Sequence, residues 1–218
     1  MKKKKMILYI LMFLPLLVVI IALPFLPDQV PAHYGFDNQV TRWGSKYETL
    51  IYPVFTILMG VFMLAMAKWS SKQEENGQNN EKVLVISGIL ILLHFNVMTG
   101  FMLYTDYKQV EDLSTVSPDL SQILFGVLGV FMIVVGNIMP KLRMNSVIGL
   151  RTPWSMKNET TWKKSQRFGG ITFMLAGVAT IAICLFTTEN QCLLWSLVVL
   201  VSVVVIDVIY SYFVARKS

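Results

Sequence analysis

The sequence is poor in the residues from which most catalytic and metal sites are built. Of its 218 residues, only two are cysteine and two are histidine. Cys184 and Cys192 lie in or beside apolar segments without a CxxC motif, so no disulfide framework, zinc site or redox centre is predicted. His33 and His94 are far apart in the chain, and neither belongs to a Ser/His/Asp arrangement. We therefore predict a protein that is not an enzyme, with no catalytic residue, metal or cofactor.

Charged residues are scarce as well, at 15% of the chain, whereas 55% of the residues are hydrophobic. Soluble domains have about 25% charged residues, so this composition excludes an ordinary soluble protein. An apolar segment of about 20 residues can cross the hydrocarbon core of a bilayer. Such segments occur at 6–26, 49–67, 83–104, 120–139, 171–187 and 192–213. We predict an all-α polytopic membrane protein with six transmembrane helices and no soluble domain.

The distribution of positive charge sets the orientation of these helices. The apolar run after the lysines at 2–5 is longer than the roughly 7–15 residues of a signal-peptide core, so we interpret it as an uncleaved first helix. Six spans place both termini on one side, and all but three of the 19 Lys and Arg residues then fall on that side. The exceptions are Arg42, Lys46 and Lys108. The positive-inside rule therefore predicts a multi-pass cell-membrane protein with cytoplasmic N- and C-termini.

A basic loop at 141–168 is the most unusual polar segment. It holds seven basic residues and one acid, Glu159. Asn158 is a predicted helix N-cap. In the helix that follows, the cations share one face and Trp162 lies on the other, which favours a helix in the inner headgroup layer with Trp162 towards the acyl chains. The loop is a lipid anchor, a docking surface for an acidic cytoplasmic partner, or a lid on a cavity between the helices. It lacks a nucleic-acid-binding fold, so we predict no direct nucleic-acid binding.

Two smaller features leave alternatives open. Arg151 precedes a Thr-Pro turn, where a guanidinium can hold a carboxylate or phosphate, or can clamp the carbonyls of a helix end. The first outer loop, 27–48, is rich in aromatic residues, and its Pro and Gly residues predict a segment without regular structure beside the membrane interface.

Polar residues inside the apolar segments form a third candidate site, made of His94, Asn137 and Asp207. Charged groups in a bilayer face the bundle interior and find partners there. A hydrogen bond between Asp207 and Asn137 is the pairing we expect. The set is either a proton or ion path or a group of interhelical contacts, and we favour the contacts because the set is small.

Two segments resemble known families. Residues 26–53 resemble DUF1648, a bacterial membrane domain of unknown function, through Pro31, His33, Tyr34, Gly35, Trp43, Gly44, Lys46 and Pro53. Residues 136–170 resemble the SdpI family through Gly136, Asn137, Pro140, Asn145, Gly149, Arg151, Thr152, Pro153, Trp154, Trp162, Arg167 and Gly170. This resemblance predicts a DUF1648-like region at 1–70, with two spans and the first outer loop. It also predicts an SdpI-like domain at 83–214, with four spans and the basic loop.

The resemblance to the SdpI family implies an immunity protein of Gram-positive bacteria that gives resistance to a secreted, membrane-active killing peptide. The type member also works in signal transduction, as a receptor that holds a small DNA-binding autorepressor at the membrane. The toxin would meet the acidic outer loop 105–119 and the first outer loop, through His33, Tyr34, Trp43 and Lys46. The repressor would meet the basic loop, through Asn145, Arg151, Trp154, Trp162 and Arg167.

One residue departs from the family pattern, and one alternative function stays open. Many relatives have a histidine immediately before the arginine at 167, where this chain has Gln166. The alternative to immunity is a small proton-coupled transporter or exporter that uses His94, Asn137 and Asp207.

Overall fold

Six long helices make up most of the molecule. The computed structural model describes residues 1–73, 77–145 and 147–217. The helices are α1 Lys2–Ala22, α2 Ile51–Gln73, α3 Gly77–Lys108, α4 Leu120–Ile138, α5 Glu159–Phe186 and α6 Glu189–Arg216. Within these described ranges, six helices are long and apolar enough to cross a membrane. The predicted class, an all-α polytopic membrane protein, is confirmed.

The cytoplasmic ends of the bundle are tied together by polar contacts. Lys5 of α1 forms an ion pair with Glu81 of α3, with 2.7 Å between Nζ and Oε1. Lys157 donates a hydrogen bond of 2.8 Å from Nζ to the carbonyl oxygen of Ala215, near the end of α6. Val83, near the start of α3, packs with Leu142 in the loop before α5. Both termini therefore lie on the side of this loop, and the positive-inside rule makes this side the cytoplasm.

The fifth helix begins where the sequence predicts but is longer than expected. The Oδ1 atom of Asn158 accepts a hydrogen bond of 2.9 Å from the backbone N–H of Thr161, which makes Asn158 the N-cap. From Glu159 the helix runs without a break to Phe186. The helix predicted after Asn158 is present, but it is continuous with the fifth span, and the cationic residues occupy the first turns of α5. We call the remaining segment, residues 142–158, the inner loop.

Helices α4 and α5 approach each other closely through glycine. A Cβ atom built on Gly136 would lie 2.6 Å from the carbonyl oxygen of Gly170, and one built on Gly170 would lie 2.6 Å from the carbonyl oxygen of Gly136. Such reciprocal contact between backbones is typical of membrane helices that pack through small residues. At the outer end, Gln122 of α4 donates from Nε2 to the carbonyl oxygens of Cys184 and Thr187, at 3.0 and 3.1 Å.

The first outer loop contains a β-hairpin, which corrects the prediction of an irregular segment. Strands β1 (Gln29–Tyr34) and β2 (Val40–Ser45) pair antiparallel. The register shifts on both sides of His33, so the hairpin is irregular. The hairpin contacts the segment that follows α3, where the N–H of Val40 donates to the carbonyl oxygen of Glu111 at 2.9 Å. Pro31 and Gly44 both lie within paired strand positions, so neither prevents the hairpin.

Candidate functional site

The four residues predicted to meet the toxin lie on the hairpin or directly after it, and they divide into two kinds. His33 and Trp43 are exposed; the Nδ1 atom of His33 lies 2.6 Å from Oγ1 of the neighbouring Thr41. Tyr34 is half-buried and donates a hydrogen bond of 2.8 Å from its hydroxyl to the carbonyl oxygen of Val110. Burial raises the pKa of Tyr34 to about 12, so its phenol stays neutral at physiological pH.

Lys46 and Tyr34 hold the hairpin in place, whereas His33 and Trp43 are available for contact. The Nζ atom of Lys46 lies 2.9 Å from Oδ1 of Asp28, and this hydrogen bond lowers the pKa of the Asp28 carboxyl. Asp28 immediately precedes β1 and Lys46 follows β2. The ion pair therefore joins the two open ends of the hairpin, beside the top of the bundle.

A second ion pair closes the hairpin onto α2. Arg42 donates two parallel hydrogen bonds to Glu48, with nitrogen–oxygen distances of 3.1 and 2.8 Å. Glu48 also accepts from the backbone N–H of Ser45, completing a capping box at the start of the short 3-10 helix Lys46–Leu50. The carboxylate occupies the space in which Gly44 would carry a side chain, and this explains why glycine stands at that position.

Beneath the hairpin lies a cavity of about 370 Å³, which we call the outer cavity. Its lining includes β1 residues 30–34, the Arg42–Glu48 pair, Tyr52 and Met102, and the side chain of Asp106. Asp106 is only 5% exposed, and its Oδ2 atom accepts a hydrogen bond of 2.9 Å from Oγ1 of Thr49. The sequence places Asp106 in an acidic outer loop, whereas the structure turns it into the bundle.

The inner loop is built around Asn145, which is 3% exposed. Its Oδ1 atom accepts hydrogen bonds of 2.8 Å from the backbone N–H groups of Val147 and Ile148. Its Nδ2 atom donates to the carbonyl oxygens of Arg143 and Ile148, at 2.7 and 3.1 Å. Asn145 thus satisfies four backbone groups of the loop, and its place in the structure is internal to the loop rather than on a docking surface.

Gln166 fastens the same loop to α5, a role that the sequence did not indicate. It is fully buried, and its amide pairs with both backbone groups of Leu150 at 3.0 and 2.9 Å. The turn before Leu150 requires Gly149, whose φ of +112° lies in the left-handed region. A Cβ atom at Gly149 would also lie 2.7 Å from Oε1 of Gln166.

Trp162 is buried in protein, so its predicted contact with acyl chains is wrong. The side chain is 1% exposed and packs with Val83, Met139 and Leu142. Its indole Nε1–H donates to the carbonyl oxygen of Leu142 at 2.9 Å. A buried indole needs such a partner, and the α4–α5 connection supplies it.

Arg151, Trp154 and Arg167 remain on the cytoplasmic surface, where the sequence predicted a docking face. All three are exposed, and Trp154 packs edge-to-face against Tyr212 with 5.3 Å between ring centroids. Within the described part of the chain, Arg151 donates no hydrogen bond to the carbonyl groups of a helix end. The predicted cytoplasmic set divides into an internal part, Asn145 and Trp162, and an exposed part of these three residues.

The intramembrane polar residues are not brought together. Asp207 accepts a hydrogen bond of 2.7 Å from Oγ1 of Thr172, whereas Asn137 is exposed, so the expected bond between Asp207 and Asn137 is wrong. Asp207 lines an apolar cavity of about 250 Å³ near the inner loop. His94 lines a different cavity of about 290 Å³ between α3 and α4. The hydrogen bond between Thr172 and Asp207 joins α5 to α6, so it is an interhelical contact.

The two cysteines lie side by side, although the sequence indicated no partner for either. Both are buried in an apolar cluster with Phe125. The Sγ atoms of Cys184 and Cys192 are 3.4 Å apart, on either side of the outer turn between α5 and α6. Both are free thiols.

Comparison with known proteins matches two separate segments of the chain. Residues 141–211, which include the inner loop, Gln166 and Asp207, match the SdpI/YfhL protein family. Residues 10–57, which include the hairpin, match DUF1648, a domain of unknown function. The resemblance to the SdpI family is confirmed.

This SdpI-like chain also aligns with a relative along its length. The immunity protein SdpI of Bacillus subtilis (strain 168) is 28% identical over 219 residues, which are 99% of this chain and 97% of the relative. No solved structure matches the chain. The six membrane-spanning helices and the similarity to SdpI make this chain a multi-pass protein of the cell membrane.

Proposed function

We propose that this protein is an immunity protein, which protects its cell from a secreted, membrane-active killing peptide. The observation that carries the proposal is the alignment of 99% of the chain with an immunity protein. Because the aligned region includes both the hairpin and the inner loop, the similarity covers the surfaces on both sides of the membrane.

The outer face supplies the contact surface that this function needs. His33 and Trp43 are exposed on the hairpin, and the outer cavity opens beneath it. Exposed aromatic rings beside a cavity are typical of sites that bind peptides. Tyr34 bonds the hairpin to Val110 in the next outer loop, and Lys46 joins the two ends of the hairpin, so binding would require little ordering of the loop.

The immunity function is tested by survival. A sensitive Gram-positive host that expresses this chain is challenged with a secreted killing peptide of the Sdp type, beside the same host with an empty vector. We expect survival only with the chain. A matched strain that expresses the Trp43→Ala, His33→Ala double variant at equal membrane levels should lose much of the protection. Equal killing of the expressing and empty-vector strains contradicts the proposed function.

The second part of the proposal is that the protein is also a receptor for a cytoplasmic repressor. The exposed cations Arg151 and Arg167, with the ring of Trp154, form a cytoplasmic surface suited to an acidic patch on a small DNA-binding repressor. Arginine and tryptophan are the residues most often found to dominate binding at protein interfaces. The well-bonded inner loop would present Arg151 and Trp154 in a fixed geometry.

Capture of the repressor at the membrane tests this role separately from immunity. We expect Arg151→Ala and Trp154→Ala to release a fluorescent repressor from the membrane in toxin-treated cells, with survival unchanged. Lys163→Ala is the matched control, because Lys163 is already paired with Glu159 at 2.9 Å. Capture that persists in both test variants counts against the docking surface.

A further inference from the structure

Asp106 is an acid held inside the outer end of the bundle instead of in the water above it. It lies two residues before the end of α3 at Lys108, and 5% of it is exposed. Among the residues that the structure describes, its carboxylate has one hydrogen-bond partner, the neutral hydroxyl of Thr49. Within the described residues, no Lys, Arg or His forms an ion pair with Asp106.

The other charged groups of the outer cavity are already paired with each other. Arg42 and Glu48 neutralise one another through two hydrogen bonds. His33 also lines the cavity, but its Nδ1 atom lies 2.6 Å from Oγ1 of Thr41. Among the described residues, Asp106 is therefore the acidic side chain of the cavity that has no ion-pair partner. Isolated buried charge is unfavourable, so an ionised Asp106 would be stabilised by a cation from outside the chain.

The remaining walls suit an organic cation. Tyr34 and Tyr52 line the cavity close to Asp106, and aromatic rings attract ammonium groups through their faces. Apolar side chains such as Met102 and Leu120 complete the lining and suit a hydrocarbon stem. With a volume of about 370 Å³, the cavity can hold an amine with a side chain but not a folded domain.

We propose that the outer cavity binds a primary ammonium group, with Asp106 as its counterion. Under the proposed function, the ammonium group is carried by the killing peptide, as a lysine side chain or the N-terminus. Only this assignment of the carrier rests on the proposed function. An aminophospholipid headgroup in the outer leaflet carries the same chemistry, and the test separates the two sources.

The first experiment needs no toxin. The full-length protein is placed in nanodiscs of phosphatidylglycerol, and the affinities of benzylamine and benzyl alcohol are compared by ligand-observed NMR. Because charge-assisted hydrogen bonds contribute about 1.5–3 kcal/mol, we expect benzylamine to bind at least about tenfold more tightly than the alcohol. Equal affinities for the wild-type protein overturn the proposal, whatever the variants do.

Variants then assign the effect to one carboxylate. Asp106→Asn keeps the size of the side chain and an acceptor for Thr49, and it should abolish the preference for the amine. Glu111→Gln removes the same charge from an exposed position on the same face, and it should leave the preference intact. A preference that survives Asp106→Asn, or that disappears in Glu111→Gln as well, contradicts the role of Asp106.

A second experiment identifies the carrier. We expect the killing peptide to displace benzylamine from the wild-type protein, and the same peptide with acetylated amines to displace it at least about tenfold less well. Displacement by phosphatidylethanolamine added to the nanodiscs, without displacement by the peptide, would retain the ammonium site and reject the peptide as its carrier. Protection that fails while benzylamine still binds would reject the immunity function alone.

Discussion

At the scale of single residues, the inner loop depends on side chains that replace regular backbone pairing. Asn145 satisfies four backbone groups within the loop, and Gln166 ties Leu150 to α5. A buried polar group that loses its partner lowers the stability of the folded state, because water cannot replace the lost hydrogen bond. The side-chain amides of Asn145 and Gln166 therefore fix the position of the loop, which carries the exposed Arg151 and Trp154.

Gln166→Ala should loosen the inner loop without unfolding the bundle. The substitution leaves the N–H and C=O groups of Leu150 unpaired, at a cost of about 1–3 kcal/mol for each group that stays buried. We expect faster trypsin cleavage at Arg143 and Arg151 in inside-out vesicles. The exposed neighbour Lys164→Ala should be cleaved there at the wild-type rate. Equal cleavage of the two variants would show that Gln166 does not hold the loop.

The two thiols give a covalent test of how α5 and α6 pack. Because the sulfurs are 3.4 Å apart, a small shift brings them to the bond length of about 2.0 Å. We expect a mild thiol oxidant to form an intramolecular disulfide between Cys184 and Cys192 in membranes. Alkylation after unfolding, read by mass spectrometry, should then find no free thiol, and reduction should restore two. If both thiols are still alkylated after oxidation, α5 and α6 do not bring the two sulfur atoms together.

At the scale of elements, the sequence predicts the helices far better than the parts between them. Apolar length and the cap at Asn158 suffice to place six spans, because both are local signals. The hairpin was missed because its strands are short, irregular at His33, and interrupted by Pro31. Asp106 and Gln166 could not be assigned, since their partners Thr49 and Leu150 are distant in the chain and meet only after folding.

Gly44→Ala should displace the hairpin from the top of α2. The added Cβ would overlap the carboxylate of Glu48 and lie 2.7 Å from Cβ of Ala32, so the Arg42–Glu48 pair would have to open. Overpacking of this kind costs about 1–3 kcal/mol. We expect a lower thermal unfolding midpoint in detergent and a weaker protection phenotype. Gly126→Ala, where a Cβ meets open space, should behave like the wild type.

At the scale of the whole molecule, orientation depends on charge and on contacts that place both termini together. The ion pair of Lys5 with Glu81 and the hydrogen bond of Lys157 to Ala215 require the two termini to share a face. The positive charge on that face predicts which face it is. The contacts show that the termini share a face, and the charge distribution shows that this face is cytoplasmic.

Labelling from outside the cell checks this orientation. In a chain with both native cysteines replaced by serine, a membrane-impermeant maleimide should label Ser45→Cys on intact cells. It should label Thr160→Cys only after lysis, because residue 160 lies in the first turn of α5 on the cytoplasmic side. The reverse pattern would invert the topology and exchange the two candidate surfaces.

Helix α5 is unbroken and reaches from one face of the membrane to the other. Its 28 residues rise by about 1.5 Å each, so it is roughly 42 Å long. Gln122 of α4 donates a hydrogen bond to the outer end of α5, and the indole of Trp162 donates one from the inner end to Leu142. Because hydrogen bonds join α5 to α4 at the outer end and to Leu142 at the inner end, we expect α4 and α5 to move together as one unit. A displacement of the outer turn would then also shift Arg167 on the cytoplasmic side.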